Sequence, residues 1–147
     1  MKYSLILLAL FLGACSAESL PANFAPGEEC LLATSTPLEP TEDDPHEGVK
    51  NVYYCGVDES MLLEDGTPRL PYPDGTQIIK ISTRHGQDYP WLVAEMLKVD
   101  GTWSWVEYTR NFADEEYVEI PVSKEVCTDC HQDARDSDWV FTIYTGR

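Results

Sequence analysis

The chain has 147 residues, with 26 Asp and Glu against ten Lys and Arg and a formal net charge of -16. So acidic a chain repels nucleic acid and anionic headgroups, which excludes a phosphate-backbone binder and leaves no nucleic-acid partner. Once a leader is removed, the length bounds it to one small domain.

A short basic start, Met1-Lys2-Tyr3, precedes the apolar run from Leu5 to Leu12. The run is too short for a permanent span and has the shape of a secretory signal peptide over residues 1–14. It ends Leu12-Gly13-Ala14-Cys15, which resembles a bacterial lipobox that leaves Cys15 as a lipidated first residue. An acylated Cys15 would attach the chain to a membrane through its N-terminal lipid. Ser16 follows, with no Asp as an inner-membrane retention signal, so a periplasmic protein on the outer membrane is expected. An ordinary signal peptide with a chance cysteine is the other reading.

Residues 15–48 hold Pro21, Pro26, Pro37, Pro40 and Pro45 among Glu39, Glu42, Asp43, Asp44 and Glu47. Without apolar periodicity, this reads as an acidic, Pro-rich tether or loosely packed arm. The compact domain is expected over 49–147. Residues 52–57 form a short strand, 58–63 a helical turn, and Gly66-Thr67-Pro68 and Pro73-Asp74-Gly75 turns. β-branched residues make 76–83 a strand. Residues 91–99 and 102–109 pair across Asp100-Gly101, a hairpin signal. Trp103 and Trp105 share one face of the second hairpin strand. These strands form an antiparallel sheet.

Pro121-Val122-Ser123 begins a helix, with Ser123 as N-cap and Glu125 in its first turn, suited to the helix dipole. It carries Cys127-Thr128-Asp129-Cys130-His131. A C-x-x-C-H run reads as the attachment site of haem c. Two thiols one helical turn apart each add to a vinyl group, and His131 is held under the iron as axial ligand. A last strand is expected over 139–144. The fold class is α+β, mainly antiparallel β-sheet with a C-terminal haem-bearing helix.

Export places the thiols in an oxidising compartment and is what haem c attachment in bacteria requires. The five cysteines then divide without remainder: Cys15 to lipid, Cys127 and Cys130 to haem, Cys30 and Cys55 to a disulfide. Such a bridge contributes roughly 3 kcal/mol in the chain-entropy model. Two buried free thiols are the alternative for the last pair.

The haem motif lies near the C-terminus, and the tail after it holds no methionine. That argues against the small electron carrier with an N-terminal motif and a downstream methionine ligand. Ten prolines and the β-rich pattern argue against a four-helix cytochrome. The chain resembles the cytochrome P-460 family, which includes the cytochrome c-prime-beta proteins. The resemblance lies in Tyr72-Pro73-Asp74-Gly75-Thr76-Gln77-Ile78-Ile79-Lys80, and in the haem motif followed by Ala134 and Asp138-Trp139-Val140-Phe141-Thr142-Ile143-Tyr144. The Trp103–Tyr108 stretch fits more loosely.

The resemblance implies a mostly antiparallel β fold, often a homodimer, with five-coordinate haem iron. It implies either hydroxylamine oxidation, with a lysine covalently joined to the haem edge, or binding of nitric oxide or carbon monoxide without that bond. Lys80 matches the cross-linking lysine; an ordinary solvated strand lysine is the alternative. Glu95, in an apolar strand on the parity of Trp91, Val93 and Leu97, is the candidate distal base, and a solvent-facing Glu the alternative. His85, in a turn, is a candidate second axial ligand; if it binds iron, simple electron transfer follows. His46 is expected in solvent with the arm, and Arg84 is a candidate for a haem propionate. Trp103 and Trp105 are expected in the core or the haem wall. The implied partners are a small nitrogen-oxide ligand or substrate and a periplasmic redox partner.

Overall fold

The structure is a computed structural model and describes residues 18–145. The signal segment and Cys15 lie outside the described residues. Among the described residues, seven antiparallel strands form a single sheet: β1 (Ser19–Leu20), β2 (Leu31–Leu32), β3 (Val49–Cys55), β4 (Gln77–Thr83), β5 (Leu92–Val99), β6 (Thr102–Thr109) and β7 (Tyr117–Ile120). Their order across the sheet is β1-β7-β6-β5-β4-β3-β2. One short helix, α1 (Lys124–His131), follows, continued by a 3₁₀ segment over Gln132–Ser137. A mainly antiparallel sheet with one short C-terminal helix bears out the α+β expectation at that level.

The hairpin β5–β6 forms where Asp100-Gly101 predicts it. Both residues have positive φ, 50° and 73°, the pairing that matches the twist of a two-residue hairpin turn. Beyond it the register is regular. Lys80, Ala94 and Glu107 lie side by side across β4, β5 and β6, and Ile78, Met96 and Trp105 form a second such row. Alternation then divides the sheet into two faces. One buries Val52, Tyr54, Ile78, Met96 and Trp103 under Ala33, Tyr72, Val140 and Tyr144. The other buries Cys55, Ile79, Val93, Tyr108 and Tyr117 under Leu20, Phe24 and Cys30.

Two expectations are corrected. The arm over 18–48 is not a loose tether. It supplies both edge strands and the buried Ala33, and it is bridged to β3 by the Cys30–Cys55 disulfide. Two-residue strands are too short to show any periodicity in sequence, so this part of the sheet was hidden. The tail over 139–144 is not a strand. Asp138 and Trp139 both take left-handed backbone, φ 52° and 70°, and turn the chain away from the sheet. Its polar groups bond irregular partners instead: the Val140 carbonyl accepts from Ser137 Oγ, and the Thr142 carbonyl from the Tyr54 hydroxyl.

Ser123 stands at the helix N-cap position, but its side chain makes no cap hydrogen bond. No residue of α1 is buried. The helix therefore rests over the Trp105 face without closing onto it, and a cavity lies between.

Candidate functional site

That cavity, about 200 Å³, has a floor of Ile78, Lys80, Met96, Trp105 and Glu107 from the sheet and a roof of Val122, Val126, Cys127, Cys130 and His131. Pro45 and His46 close one side from the arm. A second cavity of about 370 Å³ shares Pro45, His46, Lys80, Cys130 and His131. Its outer wall is the acidic arm, Glu39, Glu42, Asp43 and Asp44, with Lys50 beneath. The two spaces meet along Lys80 and His131.

Helical spacing places Cys127 and Cys130 on one side of α1, facing the sheet, with His131 beside them. Both cysteines are free. Burial, then the Glu107 carboxylate, pushes the Cys127 thiol above its ordinary value, so it stands protonated at neutral pH. His131 is wedged between Trp105 and Phe141, at 4.5 and 5.0 Å between ring centroids. Its Nδ1 lies 2.7 Å from the Trp139 carbonyl oxygen. A carbonyl only accepts, so Nδ1 carries the proton and Nε2 keeps its lone pair. This backbone bond is how ligating histidines are oriented. Burial lowers the His131 pKa, which keeps the ring neutral.

The carbonyl that orients His131 belongs to the strained turn. Non-glycine residues at positive φ cost of order 1–3 kcal/mol each and persist only where the surroundings over-determine them. Here they do. The Asp138 carboxylate accepts from Lys98 Nζ at 2.8 Å to each oxygen and from the Tyr72 backbone N–H at 2.9 Å. The Asp138 carbonyl accepts from Trp103 Nε1 at 2.8 Å.

Lys80 points into the cavity, which strand parity alone left open. Its Nζ lies 3.1 Å from His46 Nδ1, and His46 Nε2 lies 3.0 Å from Glu107 Oε1. Burial lowers the Lys80 pKa, opposed by the charge of Asp44. The loop presenting His46 is pinned by an ion pair between Lys50 and Asp44 at 2.6 Å. Asp44 also accepts the His46 backbone N–H at 2.9 Å. The expectation that His46 is solvated is thereby corrected: its side chain is 12% exposed.

Glu95 borders the cavity, but its carboxyl lies on the Ile79 and Val93 side of the sheet. It is in register with Ile79 and Val106, accepts from Gln77 Nε2 at 3.1 Å, and is pushed up in pKa by burial on that side. A carboxylate so turned does not face Lys80; the one that does is Glu107. That side chain was legible in sequence, because the stripe Trp103, Trp105 continues to Glu107 at a period of two. His46 had no such signal. His85 is exposed in a turn and lines neither cavity. Arg84 pairs with Glu47 and lies over the Trp91 ring, at 3.6 Å from its centroid.

Among the described residues, no group of three or more His, Cys, Asp or Glu side chains is gathered to hold a bare metal ion. No family model and no curated protein matches the chain.

Proposed function

We propose that this is an exported, lipid-anchored mono-haem c protein that oxidises hydroxylamine or processes a related nitrogen oxide at an open haem site. The supporting observation is the convergence of Cys127, Cys130, His131 and Lys80 on one apolar cavity, with the His131 tautomer set for metal ligation. The residues fit the group. The two thiols would form the thioether bonds and His131 Nε2 would ligate iron. An unburied helix over an apolar sheet face leaves room to be filled. Trp105 Nε1 is buried without a partner, a donor that an acceptor on a bound group would satisfy.

The haem would supply the redox chemistry. The protein supplies ligation, exclusion of water and proton handling. Glu107 would serve as the proton acceptor, because its carboxylate faces the cavity and hydroxylamine oxidation releases protons with electrons. Lys80 is within reach of the same space and is the residue for a covalent link to the haem edge. A periplasmic redox partner would take the electrons.

The test begins with a haem stain on the denatured protein from an export host with a haem-attachment system. Mass spectrometry of the haem peptide and the ferrous spectrum follow. A stained band, a Lys80-bearing adduct, a red-shifted Soret band and hydroxylamine-dependent reduction of an acceptor are expected. An unstained band refutes the haem assignment. An ordinary c-type spectrum without Lys80 refutes the enzyme and identifies a nitric oxide- or carbon monoxide-binding protein.

A further inference from the structure

Before haem is attached, Lys80, His46 and Glu107 form a constellation with its own chemistry. A nucleophile within hydrogen-bond reach of a base, and the base oriented by a third group, is the geometric signature of an activated nucleophile. Here the amine-to-imidazole and imidazole-to-carboxylate distances are 3.1 and 3.0 Å. The three side chains come from β4, the arm and β6, and all line the same cavity.

We propose that Glu107, His46 and Lys80 act as a triad that readies the Lys80 amine as a nucleophile toward small, uncharged carbonyl compounds. The Lys80 ammonium gives one proton to His46 Nδ1. The imidazolium so formed is held by the Glu107 carboxylate through Nε2–H, and Lys80 is left as a neutral amine. That nitrogen adds to a carbonyl carbon, the imidazolium returns its proton toward the carbonyl oxygen, and water leaves as the protonated imine forms, with His46 neutral again. Atoms and charge balance without an oxidant.

Three features of the site support this. The amine is desolvated, which disfavours its charged form. The groups facing it are His46 and Asp44 from the arm, Lys50 from β3, Glu107 from β6 and Cys130 and His131 from α1. The second cation, Lys50, is neutralised by its own partner Asp44. The ring is therefore the base directly bonded to the amine. The apolar floor, Ile78 and Met96, favours an uncharged reactant.

The proposal needs only these three side chains. A negative haem stain would overturn the haem reading and leave it standing. The probe is formaldehyde with cyanoborohydride at neutral pH, on full-length protein purified from a host without haem attachment. Labelling rates are read peptide by peptide, with exposed Lys124 as reference. Lys80 is expected to label several-fold faster than Lys124, because burial favours its neutral amine. His46→Gln should bring Lys80 to the Lys124 rate or below, with Lys124 unchanged. Glu107→Gln, which keeps both ring nitrogens in place, should slow Lys80 by about threefold or more; it carries the test if H46Q does not fold. A wild-type Lys80 no faster than Lys124 overturns the proposal. So does a Lys80 equally fast in folded H46Q, or in E107Q.

Discussion

Replacing Asp138 by Ala should destabilise the protein by about 3–5 kcal/mol, the cost of stranding one member of a buried ion pair. The magnitude follows from the surroundings. Lys98 and Asp138 side chains are 5% and 12% exposed, so water cannot replace the lost carboxylate around the ammonium. The Tyr72 N–H loses its acceptor as well. The turn also loses the contacts that hold two left-handed residues in place. Against a total stability of about 5–15 kcal/mol, such a loss removes a large share of the folded margin. The assay is urea unfolding of D138A, K98M, D138N and K98M/D138N. In the double variant no charge is left buried. The asparagine side chain in D138N still offers Tyr72 an acceptor and tolerates positive φ. The double variant should therefore recover most of the loss, with a coupling energy of about 2 kcal/mol or more. A D138A loss under about 1 kcal/mol, the range of an exposed pair, would refute the reasoning. So would a double variant as unstable as D138A. Folded D138A should also lose the His131 Nδ1–H signature in nitrogen-15 spectra, since the Trp139 carbonyl is no longer aimed.

Three further outcomes are expected. Burial opposes ionisation of Asp44, but its bonds to Lys50 and the His46 N–H outweigh that and hold its pKa below the ordinary value. Its folded-state value is depressed, so its contribution to stability is complete above about pH 4, where the unfolded carboxyl titrates, and is lost as the pH falls through the folded value. Acid unfolding should thus begin at higher pH in D44N, where the starting stability is already reduced. In the haem-loaded protein, Glu107→Gln should lower hydroxylamine turnover by about 10²–10⁴-fold, the usual contribution of a positioned base. Glu95→Gln should leave turnover within about twofold, because its carboxyl faces the other side of the sheet; equal losses in both would refute the assignment to Glu107. Replacing Cys30 and Cys55 by Ser should cost about 2–5 kcal/mol in urea unfolding, the range for a native bridge in a small domain.

The central sheet was legible because its strands carry strong local signals. β4 and β5 are β-branched or apolar runs, and Asp100-Gly101 supplies the positive φ angles the hairpin needs. The cysteine count pointed to Cys30–Cys55, and the bridge is present. The tail misled because Val140, Phe141, Thr142 and Ile143 have strand propensity. Propensity here reports only a fit to a half-buried surface, which Val140 and Tyr144 find without a ladder. Glu95 misled for a related reason. An apolar neighbourhood in sequence mixes residues from both faces of a strand, and only the register separates them. The period-two stripe through Trp103, Trp105 and Glu107 held that information.

The arm is where sequence and site diverge most, and its chemistry explains why. A segment rich in proline and carboxylates cannot bury enough apolar surface to fold alone. It is held instead by the sheet edge and the bridge to Cys55, both made with distant residues, and by the local Lys50–Asp44 pair. Gly48 turns the arm into β3 at φ 99°, where a Cβ would collide with the Thr83 carbonyl. That turn brings His46 back over Lys80. The acidic residues that suggest a solvated tether therefore have a local use. Asp44 neutralises Lys50 and fixes the His46 loop, so the imidazole meets Lys80 and Glu107 in a set geometry rather than as a mobile group.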